Sequence, residues 1–231
     1  MKLFRGLLRK FQSKGHFIHS PFAFNLITNV LNSPYIYYAF SDIEQFTWTN
    51  KSFFFENEPE SEQITKYNLT SFRLVNHINP KNILEINSGT SLNSLFILAT
   101  EHFSDYTLFE IDKNRISKTK EIIDTFIKKV VYNRFYKFNH SINFSSELES
   151  LGDQKFDAVF VNEGKIIPDY ENLFKMSGSN TFWVINGITK DLAKQFWRKI
   201  VNDKRVRVTF EMKDFGIAFL DPSYHKANYY I

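Results

Sequence analysis

Five small polar residues, Asn87-Ser88-Gly89-Thr90-Ser91, separate a short apolar run (Ile83, Leu84 and Ile86 around Glu85) from Leu92, Leu95, Phe96 and Ala99, which recur at helical spacing. The pattern predicts a buried strand, a tight turn and a helix. That arrangement aims backbone N–H groups and the positive end of a helix dipole at a ligand. A second strand, Tyr106 to Phe109, ends on Glu110. A carboxylate there can accept from the vicinal hydroxyls of a nucleotide-like ribose. The turn is poor in glycine: Cβ atoms at Asn87 and Ser91 obstruct close backbone approach and disfavour positive φ. Asparagine tolerates left-handed geometry better than most residues, and Ser91 can cap the helix beside it.

The elements that must position these groups follow in order. Met1 to Ser13 places Leu3, Phe4, Leu7, Leu8 and Phe11 on one helical face and Lys2, Arg5, Arg9 and Lys10 largely on another. Two readings stay open for it: a helix lying on anionic lipid or a partner, or one docked on its own domain with its lysines solvated. Ser20-Pro21 starts a helix over Phe22 to Leu31. Glu56, Glu58, Glu60 and Glu62 around Pro59 read as a solvated loop rather than a metal site. Asn68 to His77 is a helix leading into the first strand. Asn114 to Lys128 is amphipathic, with Asn114 as its cap. Val130 to Phe138 is expected as the third strand, Phe156 to Val161 as the fourth and Thr181 to Ile185 as the fifth. Helices are expected over Pro168 to Met176 and Asp191 to Val201. Val206 to Met212 and Gly216 to Leu220 form an antiparallel hairpin. Alternating strands and helices predict an α/β fold: a doubly wound, mostly parallel sheet with a C-terminal antiparallel hairpin and an N-terminal helical extension.

The stretch ILEINSGTSLNSLFILA resembles the first motif of class I S-adenosylmethionine (SAM) dependent methyltransferases, with Glu85 at the motif's acid and Gly89 at its middle glycine. Asn87 and Ser91 stand where that motif has glycines. FEID at Phe109–Asp112, FDAVFVNEGK at Phe156–Lys165 and FWVINGI at Phe182–Ile188 follow in the family's order, the last two resembling the catechol O-methyltransferase-like branch. The resemblance runs from about Asn68 to Leu220. It implies an extension over residues 1–67 and a Rossmann-like methyltransferase domain over residues 68–231. The cofactor it implies is SAM, with Glu85, Asn87, Gly89 and Ser91 around the carboxypropyl and ribose portions and Glu110 on the ribose hydroxyls. Asn162 is also assigned to the cofactor side, and His140 to the neighbourhood of the adenine. KGH-x-IHSPF resembles an amino-terminal signature of a bacterial subgroup, which brings His16 and His19 to the substrate pocket with His19 as a general base. Lys165 matches the family's lysine and would orient a substrate oxygen.

In that branch, acids after the fourth and fifth strands hold a divalent cation. Here Asn162 and Asn186 occupy those positions, so no metal is expected. Methyl transfer needs mainly in-line positioning, so a degenerate site can stay active. Two readings remain: a methyltransferase acting on a small oxygen or nitrogen nucleophile, or a non-catalytic relative serving as a binding or scaffold module. The turn lacks the glycine pattern of NAD enzymes.

Composition bounds the rest. A chain of 231 residues suits one domain with an appended segment, and its net charge of +4 is too small to argue for nucleic acid. Lys2, Arg5, Arg9, Lys10 and Lys14 all precede the first acid, Asp42, which leaves membrane or protein contact open for the N-terminal helix. With no cysteine there is neither a disulfide framework nor a thiolate zinc site. No apolar run approaches the roughly 20 residues needed to span a bilayer, no signal peptide is recognisable, and the cytoplasm is the expected compartment.

Overall fold

The computed structural model describes residues 2–51, 63–100, 102–131, 140–148, 151–164 and 166–231. An eight-stranded sheet has the order β3-β2-β1-β4-β5-β7-β6-β8. Its strands are β1 (Asn82–Ile86), β2 (Asp105–Phe109), β3 (Ser141–Ser145), β4 (Phe156–Val161), β5 (Ser177–Asn186), β6 (Val208–Glu211), β7 (Phe215–Phe219) and β8 (Ala227–Tyr230). All neighbouring pairs from β3 to β5 are parallel, β7 runs antiparallel to β5 and β6, and β8 is parallel to β6. Strand order reverses between β1 and β4, and sheets of this kind carry their ligand crevice outside the carboxyl ends of the strands at such a switch point.

The helices are α1 (Lys2–Gln12), α2 (Pro21–Leu26, continued by a wider turn over Ile27–Leu31), α3 (Tyr38–Thr49), α4 (Lys66–Ile78), α5 (Leu92–Leu98), α6 (Lys113–Phe126, likewise widened over Ile127–Val131), α7 (Tyr170–Lys175) and α8 (Asp191–Asn202). They cover both faces. Ile83, Ala158 and Phe160 pack beneath α2 to α6 in one apolar cluster. Leu84, Ile86, Val159 and Val161 face the other way, against α7 and α8. Period-two alternation within continuously apolar strands produces this division, because each strand is buried on both sides.

Some expectations change. Val130 and Val131 belong to the helical continuation of α6, and residues 132–139 lie outside the described residues, as do Lys165 and the Glu56–Glu62 loop. The third strand is Ser141–Ser145, later than expected. The β-branched run at Val130–Val131 reads as a strand, but Ile122, Ile123 and Phe126 carry the helix's buried face onward through Ile127 and Val131. Asp112, not Asn114, caps α6, its carboxylate accepting from Asn114 N at 2.9 Å and Arg115 N at 3.3 Å. The hairpin forms as expected but is not the outer edge, since β8 pairs outside β6.

Candidate functional site

Glu85 sits fully buried in β1, its side chain on the α4–α5 face. Its carboxylate accepts from Asn93 Nδ2 (2.9 Å), Ser94 Oγ (2.5 Å), Asn162 Nδ2 (2.7 Å) and the Tyr106 hydroxyl. A charge in an apolar strand survives burial only when its lone pairs are met, and here each oxygen has two donors. Burial pushes the Glu85 carboxyl above its ordinary value, while those hydrogen bonds, that from Ser94 foremost, pull it back. Burial and the nearby Glu85 charge hold Tyr67 and Tyr106 well above the usual phenol range, so both stay donors. Asn162 links the two: its Oδ1 accepts from the Tyr67 hydroxyl at 2.5 Å while its Nδ2 serves Glu85. The Glu85 carboxylate and the Asn162 amide are both committed within this network, which holds α4, α5, β1, β2 and β4 together.

Above this network four strand ends adjoin, those of β1, β2, β3 and β4. Asn87 N donates to Phe109 O, Asn162 N donates to Ile86 O, and Glu110 N donates to Ser145 O, each at 3.0 Å. Asn87 takes the left-handed conformation (φ +60°). Its side chain crosses the crevice, Nδ2 donating to Asn162 O (3.1 Å) and Ile166 O (2.7 Å). The loop after β4 rides directly on this amide: a Cβ at Gly164 would lie 2.6 Å from Asn87 Cγ. Gly89 (φ +55°) has open space beside it, its missing Cβ meeting only Asn87 O at 3.8 Å. The neighbouring Ser88 hydroxyl is buried without a hydrogen-bond partner among the described residues. Ser91 is also left-handed (φ +66°), and its hydroxyl donates to Thr119 Oγ1 on α6 at 3.0 Å instead of capping α5. Glu110 is buried at the end of β2; Oε1 accepts from Asp112 N at 3.2 Å, and Oε2 has no partner among the described residues. The cap of α6 thus fixes how Glu110 is presented.

The remaining candidates lie elsewhere. His140 precedes β3, and Ser141 N bonds Ser104 O at the amino ends of the strands. It is therefore a strand's length, about 16 Å for five residues, from Glu110, packed on Phe103 with its pKa lowered by burial. Because β3 starts after His140 rather than before it, this residue cannot reach the carboxyl ends. A cavity of about 240 Å³ opens at the ends of β4 and β5 against the start of α8, lined among others by Asn162, Glu163, Asn186, Lys190 and Leu192. His19 is exposed ahead of α2, and neither it nor His16 lines this cavity. Lys190 Nζ pairs with Glu163 Oε1 at its rim, and Asn186 Oδ1 accepts from Gly187 N at 2.9 Å. Asn87 and Gly89, one strand away after β1, and Glu110, two strands away after β2, do not line it. Among the described residues no group of three or more His, Cys, Asp or Glu side chains could hold a metal ion.

Sequence reasoning missed Tyr67, Asn93, Ser94 and Tyr106. One signal was available: a carboxylate inside an otherwise apolar strand demands donors nearby.

No protein-family model matches the chain, and no curated protein matches it by sequence. Solved structures do. The O-methyltransferase TomG from Streptomyces achromogenes, in complex with SAM, superposes with a TM-score of 0.56 at 15% identity, covering 80% of this chain and 91% of that one. The O-methyltransferase from Bacillus cereus in complex with SAH gives 0.57 at 16%, covering 78% and 90%. The SAH-bound methyltransferase PaMTH1 of Podospora anserina gives 0.53 at 13%, covering 79% and 88%. The chain has the methyltransferase fold. At these identities the likeness establishes the architecture; the chemistry must be argued from the side chains.

Proposed function

We propose that the chain is a SAM-dependent methyltransferase acting on a small oxygen or nitrogen nucleophile, oxygen being favoured by the O-methyltransferases it resembles in fold, and that it works without a divalent cation. The observation that carries this reading is Glu110: a buried carboxylate at the end of β2, beside the strand-order reversal, with one oxygen uncommitted. The residues fit a nucleoside donor there. Glu110 Oε2 can accept from vicinal hydroxyls, the turn at Gly89 leaves room for close approach, and the buried Ser88 hydroxyl lacks a partner among the described residues. Asn87 and Ser91 contribute backbone to this turn, and both already occupy the left-handed conformation that their Cβ atoms disfavour.

The donor supplies a methyl group on a good sulfonium leaving group, so the protein's task is alignment and exclusion of water. The cavity beyond Asn162, smaller than the roughly 300 Å³ at which drug-sized pockets begin, suits a small acceptor. Ile167, Leu192 and Ala193 supply its apolar wall, and Lys190 with Asn186 its polar rim. Lys165, outside the described residues, is the candidate its match to the family's lysine supplies for orienting the acceptor oxygen, and His19 remains a candidate base if its segment folds over the acceptor. Metal independence follows from Asn162: its amide is spent on Tyr67 and Glu85, and a carboxylate there would meet another carboxylate. The cytoplasm is the compartment proposed with this reading.

One observation favours the alternative, a non-catalytic module. The Asn87 amide bridges the crevice in which the donor's amino-acid end would lie. Production of SAH from SAM with mixed small phenols, carboxylic acids and amines as acceptors, in excess EDTA, separates the two. Turnover above the acceptor-free rate supports the enzyme. Turnover that appears only with magnesium removes metal independence, and none under either condition supports the module.

A further inference from the structure

The N-terminal helix docks by polar contacts and leaves large apolar side chains exposed. α1 meets the β6–β8 edge through polar groups: Arg5 and Arg9 reach Glu211 at 3.7 and 3.5 Å, and Arg5 lies over the Tyr230 ring at 5.3 Å. Gln12 Oε1 accepts from Tyr230 N at 2.8 Å. On another side of the helix Leu7 is 52% and Phe11 44% exposed. Two more rings extend the same patch, Phe17 at 71% and Phe24 at 47%. Phe11 and Phe17 meet edge to face at 5.9 Å, and Phe24 lies over Gly15, where a Cβ would approach its ring to 2.7 Å. Phe17 holds its exposed ring from a left-handed backbone (φ +61°), a conformation that costs a bulky residue energy and that burial of the ring does not repay.

The surroundings are cationic. Residues 1–41 contain no Asp or Glu, and the exposed Lys10 and Lys14 flank the rings without an ion pair among the described residues. We propose that this patch docks the protein reversibly on an anionic lipid surface, the rings entering the acyl boundary and the two lysines meeting headgroup charge. A stable protein interface draws on about 20 or more residues a side, far more than four separated side chains provide. An interfacial helix needs only a few inserting aromatics and a basic rim. The proposal is independent of the catalytic reading.

Sedimentation of the purified full chain with vesicles tests it, using phosphatidylcholine alone and phosphatidylcholine with about a third phosphatidylserine. The protein is expected to pellet with the anionic vesicles, to be released by salt, and to stay in solution with the neutral ones. Charge reversal in K10E/K14E should lower the partition coefficient by about 30-fold or more, taking each lysine near an anionic surface at about fivefold. The ring variant F11S/F17S should abolish pelleting while retaining the wild-type melting curve, since both rings are exposed. No pelleting with either vesicle overturns the proposal, as does equal pelleting with both or undiminished binding by F11S/F17S. Retention on immobilised polyglutamate without vesicle binding would assign the patch to an acidic protein instead, and also overturns it.

Discussion

The Asn162 side chain faces two unlike groups at once, a tyrosine hydroxyl that donates to it and a carboxylate that accepts from it, and its neutral amide supplies both without adding charge. An aspartate would place its charge against Glu85, which is already fully buried. Asn162→Asp should therefore cost about 3 kcal/mol at neutral pH, read by urea unfolding. The loss has a definite pH sense. One carboxyl of the pair would keep its proton in the folded state, so its folded pKa exceeds the unfolded value. The penalty is small in acid and grows as pH rises through the raised pKa. A penalty that does not change between acid and neutral pH would mean the new carboxylate has turned away from Glu85. Asn87 provides a second residue-scale test. Both Asn87→Gly and Asn87→Ala lose the two hydrogen bonds to the loop after β4, about 1–2 kcal/mol together. Alanine adds the left-handed strain at φ +60°, about 1 kcal/mol, and should be the less stable variant. Equal stabilities would show that the backbone relaxes out of that conformation.

Among elements, the close approach of α8 to β7 is the sharpest packing feature. A Cβ at Gly216 would sit 2.5 Å from the Trp197 ring, whose Nε1 donates to Glu211 at 3.3 Å. Gly216→Ala should then cost about 1–3 kcal/mol by displacing the indole, with loss of near-ultraviolet tryptophan ellipticity as the local signature. Wild-type stability would show that the strand shifts freely under the helix. Elements of this kind were legible where periodicity and burial agreed. β1, β2, β4, β5 and the β6–β7 hairpin announced themselves as apolar runs between turns. β3 did not, because Ser141–Ser145 is half polar at a sheet edge, whereas the β-branched Val130 and Val131 mimic a strand inside a helix's continuation. β8 hid for the same reason as β3: it is a short edge strand, and Asn228 with the two tyrosines of Ala227–Tyr230 carries too little aliphatic character to stand out.

At the scale of the whole molecule, the order of motifs along the chain predicted the sheet and the place of the crevice, because parallel right-handed crossovers allow few alternatives. It could not show which polar side chains face the crevice and which lie beneath it. Glu85 and Asn162 match motif positions yet point into the network with Tyr67 and Tyr106, a distinction that only three-dimensional packing makes. Glu110 keeps both motif position and, among the described residues, an uncommitted carboxylate oxygen near the open turn at Gly89. Donor binding through Glu110 is accordingly the central claim, and calorimetric titration of SAM into the intact protein tests it most directly. Saturable one-to-one binding is expected, weakened by about 1.5–3 kcal/mol in Glu110→Ala through loss of charge-assisted hydrogen bonds. Absence of binding, or binding that Glu110→Ala leaves unchanged, would contradict it.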